Sequence, residues 1–355
     1  MSKIHVWCGL DVSKPFFDAG LVYDQPLSDF SKVPSTRFPR NEMGVESFGL
    51  WIADLLGDNH IEPRQIGFVM EATGVYSLEL FELLKDQGWE HISLINPRFG
   101  KDFIKSLGIR NKTDRIDAIA LGFFGRERTP KTYKPQEPEY QYLRDLVRYR
   151  RTLVEQLKTL KSRLSTMKNA FIVKELRRQV KNVERAVKRC KDEIKKHINA
   201  YETLSGDLKL MCSMPGVGEV TAWTILGELG NLRFFQRSRE LSSLAGTAPT
   251  VYESGISIRR KTRISKDCGK AVRRVLYMAC LAAIRKTDTP FSIAYHRMVR
   301  NGKAKKAAIL AIMRKMLVIQ RSMLISGTYF DPGLPGCGKP VDKFGRVSQK
   351  LLISA

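Results

Sequence analysis

The stretch IHVWCGLDVSKPFFDAGLVY, residues 4–23, contains two apolar runs on either side of the polar segment DVSKP. Two short apolar runs that flank a turn sequence predict a β-hairpin. Asp11 then lies where the first predicted strand ends. The stretch therefore predicts the beginning of a β-sheet with a carboxylate at one strand end.

The residues that follow alternate between strand and helix patterns. Segment 26–44 is rich in Pro and Ser and predicts a loop, which leads into a helix near 43–57. QIGFVME (65–71) and HISLINP (91–97) are short apolar runs that predict buried strands, and a helical pattern follows each of them. Glu71 ends the first of these two strands. The order predicts an α/β domain with a mixed sheet and crossover helices.

A pair of aspartates lies in RNKTDRIDAIAL, residues 110–121. Thr113 is a good N-cap, so a helix is predicted to begin at or just after it, with Asp114 and Asp117 in its first two turns. Residues three apart share a helix face, so both carboxylates can point at one place. Taken alone, Asp114 can equally favour the helix N-terminus, and Asp117 can pair with a neighbouring arginine.

Asp11, Glu71, Asp114 and Asp117 together indicate a metal site. Acids gathered at the carboxyl edge of one sheet repel each other unless cations lie between them. The hard cation that suits carboxylate and phosphate oxygens is Mg²⁺, with Mn²⁺ as a substitute. Each acid taken singly also has a structural interpretation, in which Asp11 caps the turn and Glu71 faces solvent. The order and placement of the four favour the metal site.

The charge of the chain is unevenly distributed. Residues 1–135 contain 17 Lys and Arg and 18 Asp and Glu, whereas residues 136–355 contain 44 and 18. The net charges of the two parts are therefore −1 and +26. An excess of this size indicates a polyanionic partner, because neutralised phosphates release their counterions. A basic surface that binds nothing is the alternative.

The composition argues against membrane, secreted, zinc-binding and disulfide-bonded classes of protein. Hydrophobic residues make up 43% of the chain, which is typical of a globular protein. No run of 18 apolar residues and no secretory signal is present, so we expect a cytoplasmic, nucleoid-associated protein without a membrane partner. The six cysteines form no CxxC pair, which argues against a zinc site or a disulfide framework.

Two long amphipathic helices are predicted at about 138–170 and 173–203, because apolar residues recur there every three or four positions. The helices can fold back on each other as a hairpin or pair with another chain. The sustained heptads and charged outer faces favour contacts between chains slightly, so we expect a coiled coil that supports a homo-oligomer.

The remainder of the chain is predicted to be mainly helical. MCSMPGVGEVTAWTILGELG (211–230) resembles a helix-hairpin-helix, in which the turn at Gly216 and Gly218 offers backbone N–H groups to a phosphate, although a purely structural corner also uses glycine. Segment 237–325 predicts helices around a middle part with Gly and Pro, and residues 250–315 contain 17 basic against three acidic residues. The basic residues expected at nucleic acid are Arg110, Lys112, Arg259, Arg260, Lys261, Arg263, Lys266, Arg273 and Arg274.

Several motifs resemble one known family. GLDVSK, MEATGVY, INPRFGKDF and RNKTDRIDA, in this order and spacing, resemble the DEDD transposases of insertion sequence family 110, relatives of the Piv site-specific DNA invertases. SMPGVGEVTA, LAGTAPTVYESG and RISKDCGKAVRRVLYMA resemble the C-terminal transposase domain of that family. The resemblance spans nearly the whole chain. It implies a RuvC-like, ribonuclease H-related N-terminal domain whose acidic tetrad falls on Asp11, Glu71, Asp114 and Asp117.

The resemblance also implies that Ser254, in VYESGISIRR, is the nucleophile. From chemistry alone, a serine before Gly255 in a turn is more consistent with an ordinary loop residue than with a nucleophile, and no histidine lies nearby in sequence to accept its proton. Ser257 is the obvious competitor. The assignment of Ser254 as the nucleophile therefore depends on the resemblance more than the assignment of the acids to a metal site does.

The implied function is the cutting and rejoining of donor and target DNA through a covalent phosphoserine link, with Mg²⁺ on the tetrad and a structured noncoding RNA as guide. The implied assembly is a dimer that pairs into a tetramer. The expected domains are a RuvC-like catalytic domain (1–135), a coiled-coil segment for oligomerisation and RNA or DNA contacts (136–205), a C-terminal transposase domain (206–330) and a tail (331–355).

Three other functions fit the same residues. A metal-dependent junction nuclease would hydrolyse DNA with water, so that Ser254 takes no part. A Piv-like invertase would work without RNA. A non-catalytic architectural protein would bind nucleic acid, and its acids would be structural.

Overall fold

The chain divides into two compact units, Met1–Pro135 and Gln136–Ala355. The computed structural model describes residues 4, 6–23, 25–27, 29–57, 63–108, 113–254, 258–264 and 269–333, with the backbone alone for 249–254 and 258–264. Each unit has its own hydrophobic core. The two units are therefore described separately.

The first unit is built on a five-stranded mixed sheet in the order β3-β2-β1-β4-β5. The strands are β1 (Val6–Val12), β2 (Phe16–Val22), β3 (Ser35–Pro39), β4 (Ile66–Glu71) and β5 (His91–Ile95). β1, β2 and β3 pair antiparallel, whereas β4 lies parallel to β1 and β5 parallel to β4. The predicted hairpin and mixed sheet are confirmed, and this architecture agrees with a RuvC-like fold.

Among the described residues of this unit, four α-helices accompany the sheet: α1 (Glu42–Leu56), α2 (Val75–Asp86), α3 (Pro97–Ser106) and α4 (Asp114–Arg128). The core between the sheet and these helices is aromatic, and Phe48 packs edge-on against Phe17 with ring centroids 5.4 Å apart. Phe17, Phe48 and Phe68 are all fully buried. Rings that meet edge-to-face add to the free energy gained from burial, which fixes the sheet against α1.

The prediction of a loop over residues 26–44 is wrong for Ser35–Pro39, which forms the edge strand β3. The strand is short and mostly polar, because it pairs with β2 on one side only and buries only Phe38. Its Pro39 lies at the strand end, where a missing N–H removes no necessary bond. An edge strand of this kind lacks the apolar alternation by which strands are recognised in sequence.

The second unit is mainly helical, as predicted. Its helices are α5 (Pro138–Thr166), α6 (Ala170–Ala200), α7 (Glu202–Cys212), α8 (Glu219–Leu229), α9 (Ser238–Leu244), α10 (Lys270–Arg285), α11 (Pro290–Arg300) and α12 (Lys305–Ser326). Its core is centred on residues such as Trp223, Leu276 and Met316, none of which is exposed. Within the described part of the chain, no helix is long and apolar enough to cross a membrane.

One part of the second unit differs from the helical prediction for 237–325. Strands β6 (Pro249–Ser254) and β7 (Ile258–Ile264) form an antiparallel hairpin with a register shift between Thr250 and Tyr252. β-branched and aromatic residues in TVYES favour the extended conformation there. Residues 255–257, which connect the strands, lie outside the described residues.

α5 and α6 fold back on each other within the chain. Lys161 Nζ lies 2.7 Å from Glu184 Oε1, and His197 Nε2 lies 2.8 Å from the carbonyl oxygen of Glu139 at the other end of the pair. The two helices are therefore an antiparallel hairpin, the alternative that the sequence favoured less. A coiled coil with a second chain, and the homo-oligomer that it would support, stay predictions.

A buried ion pair fastens α7 within the second unit. Arg233 donates from Nη1 and Nη2 to the two carboxylate oxygens of Asp207, at 2.8 and 2.7 Å. Asp207 is 2% exposed, and it also accepts from Tyr140 Oη at 3.3 Å. Arg233 Nε donates to the carbonyl oxygen of Leu324 at 2.8 Å. These bonds join α5, α7 and α12, because a buried charge must be fully hydrogen-bonded to be tolerated.

Candidate active site

Two of the predicted acids lie at the same edge of the first sheet. Asp11 is in β1 and Glu71 is the last residue of β4, and these strands run parallel. The last residue pair between the two strands is Leu10 with Met70. Asp11 and Glu71 each follow directly after that pair, so their backbones are neighbours at the carboxyl edge.

α4 brings the other two acids to this edge. Thr113 caps the helix, with its Oγ1 accepting from the backbone N–H of Ile116 at 3.2 Å, so Asp114 and Asp117 lie in the first turn as predicted. The helix lies almost in backbone contact with β1, since a Cβ on Gly9 would come within 2.0 Å of the Ala118 carbonyl oxygen. Only glycine permits this approach.

The electrostatics show that the acids are close together. The pKa of Asp11 is raised from 3.8 to about 6, chiefly by burial and then by the negative charges of Asp117, Asp114, Glu71 and Asp18, in that order. Like charges disfavour ionisation only at short range. Four other carboxylates therefore lie close enough to Asp11 to disfavour its ionisation.

Glu71 occupies a space that a glycine leaves open. A Cβ placed on Gly100 of α3 would lie 2.4 Å from Glu71 Oε1. Gly100 is buried, so the carboxylate of Glu71 lies directly against the α3 backbone. The INPRFGKDF motif, which contains Gly100, thus contributes to the site by its lack of a side chain.

Two further residues of the site, Asp18 and Arg37, were missed by the sequence interpretation. Arg37 on β3 donates from Nη2 to Asp18 Oδ2 and to Asp114 Oδ2, at 2.9 Å each. Asp114 thus pairs with an arginine that is 77 positions away in sequence. The signal was present in the strand register, which sets Asp11 opposite Asp18 and Asp18 opposite Arg37.

The donor set fits a divalent cation by its chemistry. Carboxylate oxygens are the ligands of Mg²⁺ and Mn²⁺, and crowded carboxylates are the setting in which such an ion lowers the electrostatic free energy. Among the residues that the structure describes, no three or more acidic, histidine or cysteine side chains converge on one point as metal ligands. The carboxylate of Glu71 lies against α3, and that of Asp114 is bonded to Arg37.

The predicted nucleophile lies in the second unit. Ser254 is the last residue of β6, opposite Ile258, so its backbone is at the end of the hairpin next to the connection. Arg259, Arg260 and Arg263 lie opposite Glu253, Tyr252 and Thr250, and Lys261 is in the same strand β7. Ser257 and Lys266, together with Arg110 and Lys112 in the first unit, lie outside the described residues.

The turn between α7 and α8 has a packing role at Gly216. Its φ is +83°, and an added Cβ would lie 2.3 Å from the Ala279 carbonyl oxygen of α10, so a glycine is required for helix packing. Gly218 faces open space before α8. A cleft of about 750 Å³ beside this turn is also lined by Arg285 and Lys286. A phosphate contact here stays a prediction.

Two predicted cations of α10 have partners within the chain. Arg273 Nη1 donates to the Gly246 carbonyl oxygen at 3.1 Å, and Arg274 Nη1 lies 3.4 Å from Glu155 Oε1. A basic groove that the sequence interpretation did not identify lies on α6. It is lined by Lys174, Arg177, Arg178, Lys181 and Arg185, with Ala170 and Val173. We call these five cations the α6 basic face.

Comparisons with known proteins agree with the motifs. A model of the IS110-type DEDD transposases, described as "Transposase", matches residues 8–172, and a model described as "Transposase IS116/IS110/IS902 family" matches residues 208–297. The first match contains the four acids and the second contains Ser254.

Curated relatives point the same way. The chain is 28% identical over 334 residues to the "Pilin gene-inverting protein" of Moraxella bovis, which covers 93% of this chain and 98% of that protein. It is 29% identical over 126 residues to the "Insertion element IS110 uncharacterized 43.6 kDa protein" of Streptomyces coelicolor, covering 36% of this chain and 31% of that one. The chain therefore belongs to the IS110 family of DNA transposases and recombinases, as its motifs predicted.

Proposed function

We propose that this transposase cuts and rejoins DNA through a covalent serine-phosphodiester intermediate, with Ser254 as nucleophile and a divalent metal ion, Mg²⁺ or Mn²⁺, on the acidic tetrad. The observation that carries the proposal is the group of carboxylates around Asp11, which raise its pKa together with burial. Carboxylates that served only as caps or solvent-facing strand ends would have no reason to gather at one sheet edge.

The residues of the chain divide the work of the proposed reaction. Asp11, Glu71, Asp114 and Asp117 supply oxygen ligands, and a metal ion bound there would polarise the scissile phosphate and stabilise the leaving oxygen. The Oγ of Ser254 attacks the phosphorus and gives up its proton to a base. The P–O bond to one deoxyribose breaks, and that sugar leaves as a hydroxyl.

Rejoining reverses this step. A deoxyribose hydroxyl of the exchanged strand attacks the phosphoserine and releases Ser254 with its proton restored. The number of phosphodiester bonds is conserved, so no nucleoside triphosphate is needed. The chain accordingly lacks a GxxxxGK[ST] phosphate loop.

The partners follow from the charge of the second unit. Donor and target DNA and a structured guide RNA are all polyanions, and residues 136–355 have a net charge of +26. The α6 basic face and the arginines of β7 are the proposed contacts, together with Arg110, Lys112, Gly218, Lys266, Arg273 and Arg274. Assembly as a dimer that pairs into a tetramer belongs to the same proposal.

A second candidate is a DNA invertase that works without RNA. The observation in its favour is the near full-length similarity to the pilin gene-inverting protein, whereas the insertion-element relative matches only 36% of the chain. RNA that copurifies from the native host decides between the two. A single defined noncoding RNA supports the guided transposase, and its absence supports the invertase.

The proposed chemistry is tested with a DNA substrate that carries both element ends. Ser254→Ala should abolish both strand cleavage and the protein–DNA adduct, while Ser257→Ala should retain them. Asp114→Asn combined with Asp117→Asn should lower cleavage by about 10³-fold, since the metal site loses two charged ligands. The matched control is Asp54→Asn, an exposed acid on α1.

The other mechanisms give different results. Cleavage that persists in Ser254→Ala would show that water attacks, as in a junction nuclease. Cleavage that persists in the double aspartate variant would show that these acids are structural. Binding without any cleavage by the wild type would support an architectural protein.

A further inference from the structure

A row of three charged residues crosses the sheet of the first unit. Asp11 of β1 is opposite Asp18 of β2, and Asp18 is opposite Arg37 of β3. Residues directly opposite in neighbouring strands have side chains on the same face. α4 packs over this face and brings Asp114 to the end of the row, where Arg37 meets it.

The guanidinium of Arg37 is held in place by Asp18. Nε lies 3.2 and 3.1 Å from the two carboxylate oxygens of Asp18, and Nη2 lies 2.9 Å from Oδ2. The Asp18 side chain is 13% exposed, so it is an anchor mostly shielded from water. The planar guanidinium suits such two-point contacts, which an ammonium group cannot make. From this anchor, the same Nη2 reaches Asp114.

Arg37 therefore contributes one positive charge to the group of five carboxylates. It pairs with Asp114, an acid of the proposed metal site, and with Asp18, which lies outside the tetrad. We propose that Arg37 is a resident cation of the acidic site, which holds Asp18 and Asp114 and thereby weakens the binding of divalent metal ions. This inference rests on the proposed function, because it needs a metal ion at the tetrad.

Two effects of Arg37 on metal binding have the same sign. Its positive charge repels an incoming divalent ion, and its bond to Asp114 Oδ2 occupies an oxygen that the ion would use. The loss of Arg37 would not displace Asp114 as a whole, since the capped first turn of α4 fixes its backbone. Removal of the guanidinium should therefore tighten metal binding.

The test is a titration of the full-length protein with Mn²⁺ by isothermal calorimetry at low ionic strength, without DNA. Arg37→Gln and Arg37→Thr both remove the charge, and threonine also suits the edge strand, so a folding defect in one leaves the other informative. Both should bind Mn²⁺ about three- to tenfold more tightly than the wild type, the range expected for loss of one partly exposed charge. Circular dichroism confirms folding.

The matched control is Lys32→Gln, which removes one charge from an exposed pair with Asp29 in the same unit. Its affinity should stay within about twofold of the wild type. Equal or weaker Mn²⁺ binding by the Arg37 variants would overturn the inference, and so would equal tightening by Lys32→Gln. If the wild type and the Arg37 variants all bound no Mn²⁺, the proposed metal site itself would be wrong. Failure of the proposed site is therefore distinguishable from failure of the inference about Arg37.

Discussion

The two units of the molecule use charge in opposite ways. The first has 17 basic and 18 acidic residues and is nearly neutral as a whole, yet five of its carboxylates gather at one sheet edge. The second has 44 basic and 18 acidic residues, and its cations are spread along helices and a strand, as on the α6 basic face. The net charge of a unit therefore indicates whether it binds a large charged partner such as nucleic acid. A reactive site depends instead on how many charges lie close together.

On the proposed function, each unit has a separate task. Concentrated carboxylates suit small divalent cations, because their oxygens can lie around a single ion. Dispersed cations suit a long polyanion, because each neutralises a different phosphate. A change in one unit should therefore affect metal-dependent chemistry, and a change in the other should affect nucleic-acid affinity.

The largest effect is expected from Gly100→Ala in the first unit. The new methyl group would displace the Glu71 carboxylate, which lies 2.4 Å from the Cβ position. We expect DNA cleavage to fall by about ten- to a hundredfold, since a misplaced group of this size is costly to catalysis. Thermal stability should change by no more than a few degrees, because a carboxylate end can rotate away. A cleavage assay and a melting curve measure the two.

Gly49→Ala is the matched control for this change. Gly49 is also in a helix of the first unit, but a Cβ there would have no atom within 4 Å. Its cleavage rate should equal that of the wild type. Full activity in Gly100→Ala would contradict a role for Glu71 at its observed position.

The next largest effect is expected on the α6 basic face. Replacement of Arg177, Arg178 and Lys181 by glutamine should weaken nucleic-acid binding by about 10- to 30-fold at moderate salt. The slope of log affinity against log salt should fall by about 2 to 3, near one for each lost phosphate contact. Fluorescence anisotropy over a salt series measures both.

An equal loss of charge in the first unit sharpens the comparison. Lys32, Lys85 and Lys134 are all exposed. Replacement of all three by glutamine should change the affinity for nucleic acid by less than about twofold. If this variant lost as much affinity as the α6 variant, binding would follow total charge, and the division of tasks between the units would be wrong.

The smallest effect is on the stability of the metal-free protein. The pKa of Asp11 is raised from 3.8 to about 6 in the folded state, so the ionised carboxylate destabilises the fold. This cost is absent near pH 3, grows between the two pKa values and is complete above pH 6. In EDTA, Asp11→Asn should thus raise the melting temperature by about 2–6 °C at pH 8. The gain should disappear towards pH 3.

Scanning fluorimetry across this pH range measures the difference between the variant and the wild type. A difference that is constant with pH would show that the gain does not come from ionisation. A lower melting temperature at pH 8 would show that the Asp11 carboxylate stabilises the fold.

The sequence predicted those features that depend on local pattern. The hairpin around Asp11, the strand that ends at Glu71 and the start of α4 after Thr113 all follow from apolar runs, turn residues and a helix cap. These signals lie within a few residues of the feature they predict. They were sufficient to place all four acids at or near strand or helix ends.

The missed features depend on contacts between distant residues. The sequence did not predict β3, because an edge strand buries few apolar side chains. It did not predict the role of Arg37 either, because its partner Asp114 is 77 positions away. The β6–β7 hairpin was missed because it is a short element within a segment that is otherwise helical. A heptad pattern also cannot show whether α5 and α6 pair with each other or with another chain. Both arrangements bury the same apolar stripe.

The central claim is that the acids of the first unit and Ser254 of the second serve one reaction. Its most direct test is the identity of the residue that carries DNA when the reaction is stopped by denaturation. After digestion with protease and nuclease, mass spectrometry should find a phosphonucleotide on Ser254, and Asp114→Asn with Asp117→Asn should remove it. A phosphonucleotide on another residue, or cut DNA without any protein adduct, would contradict the account.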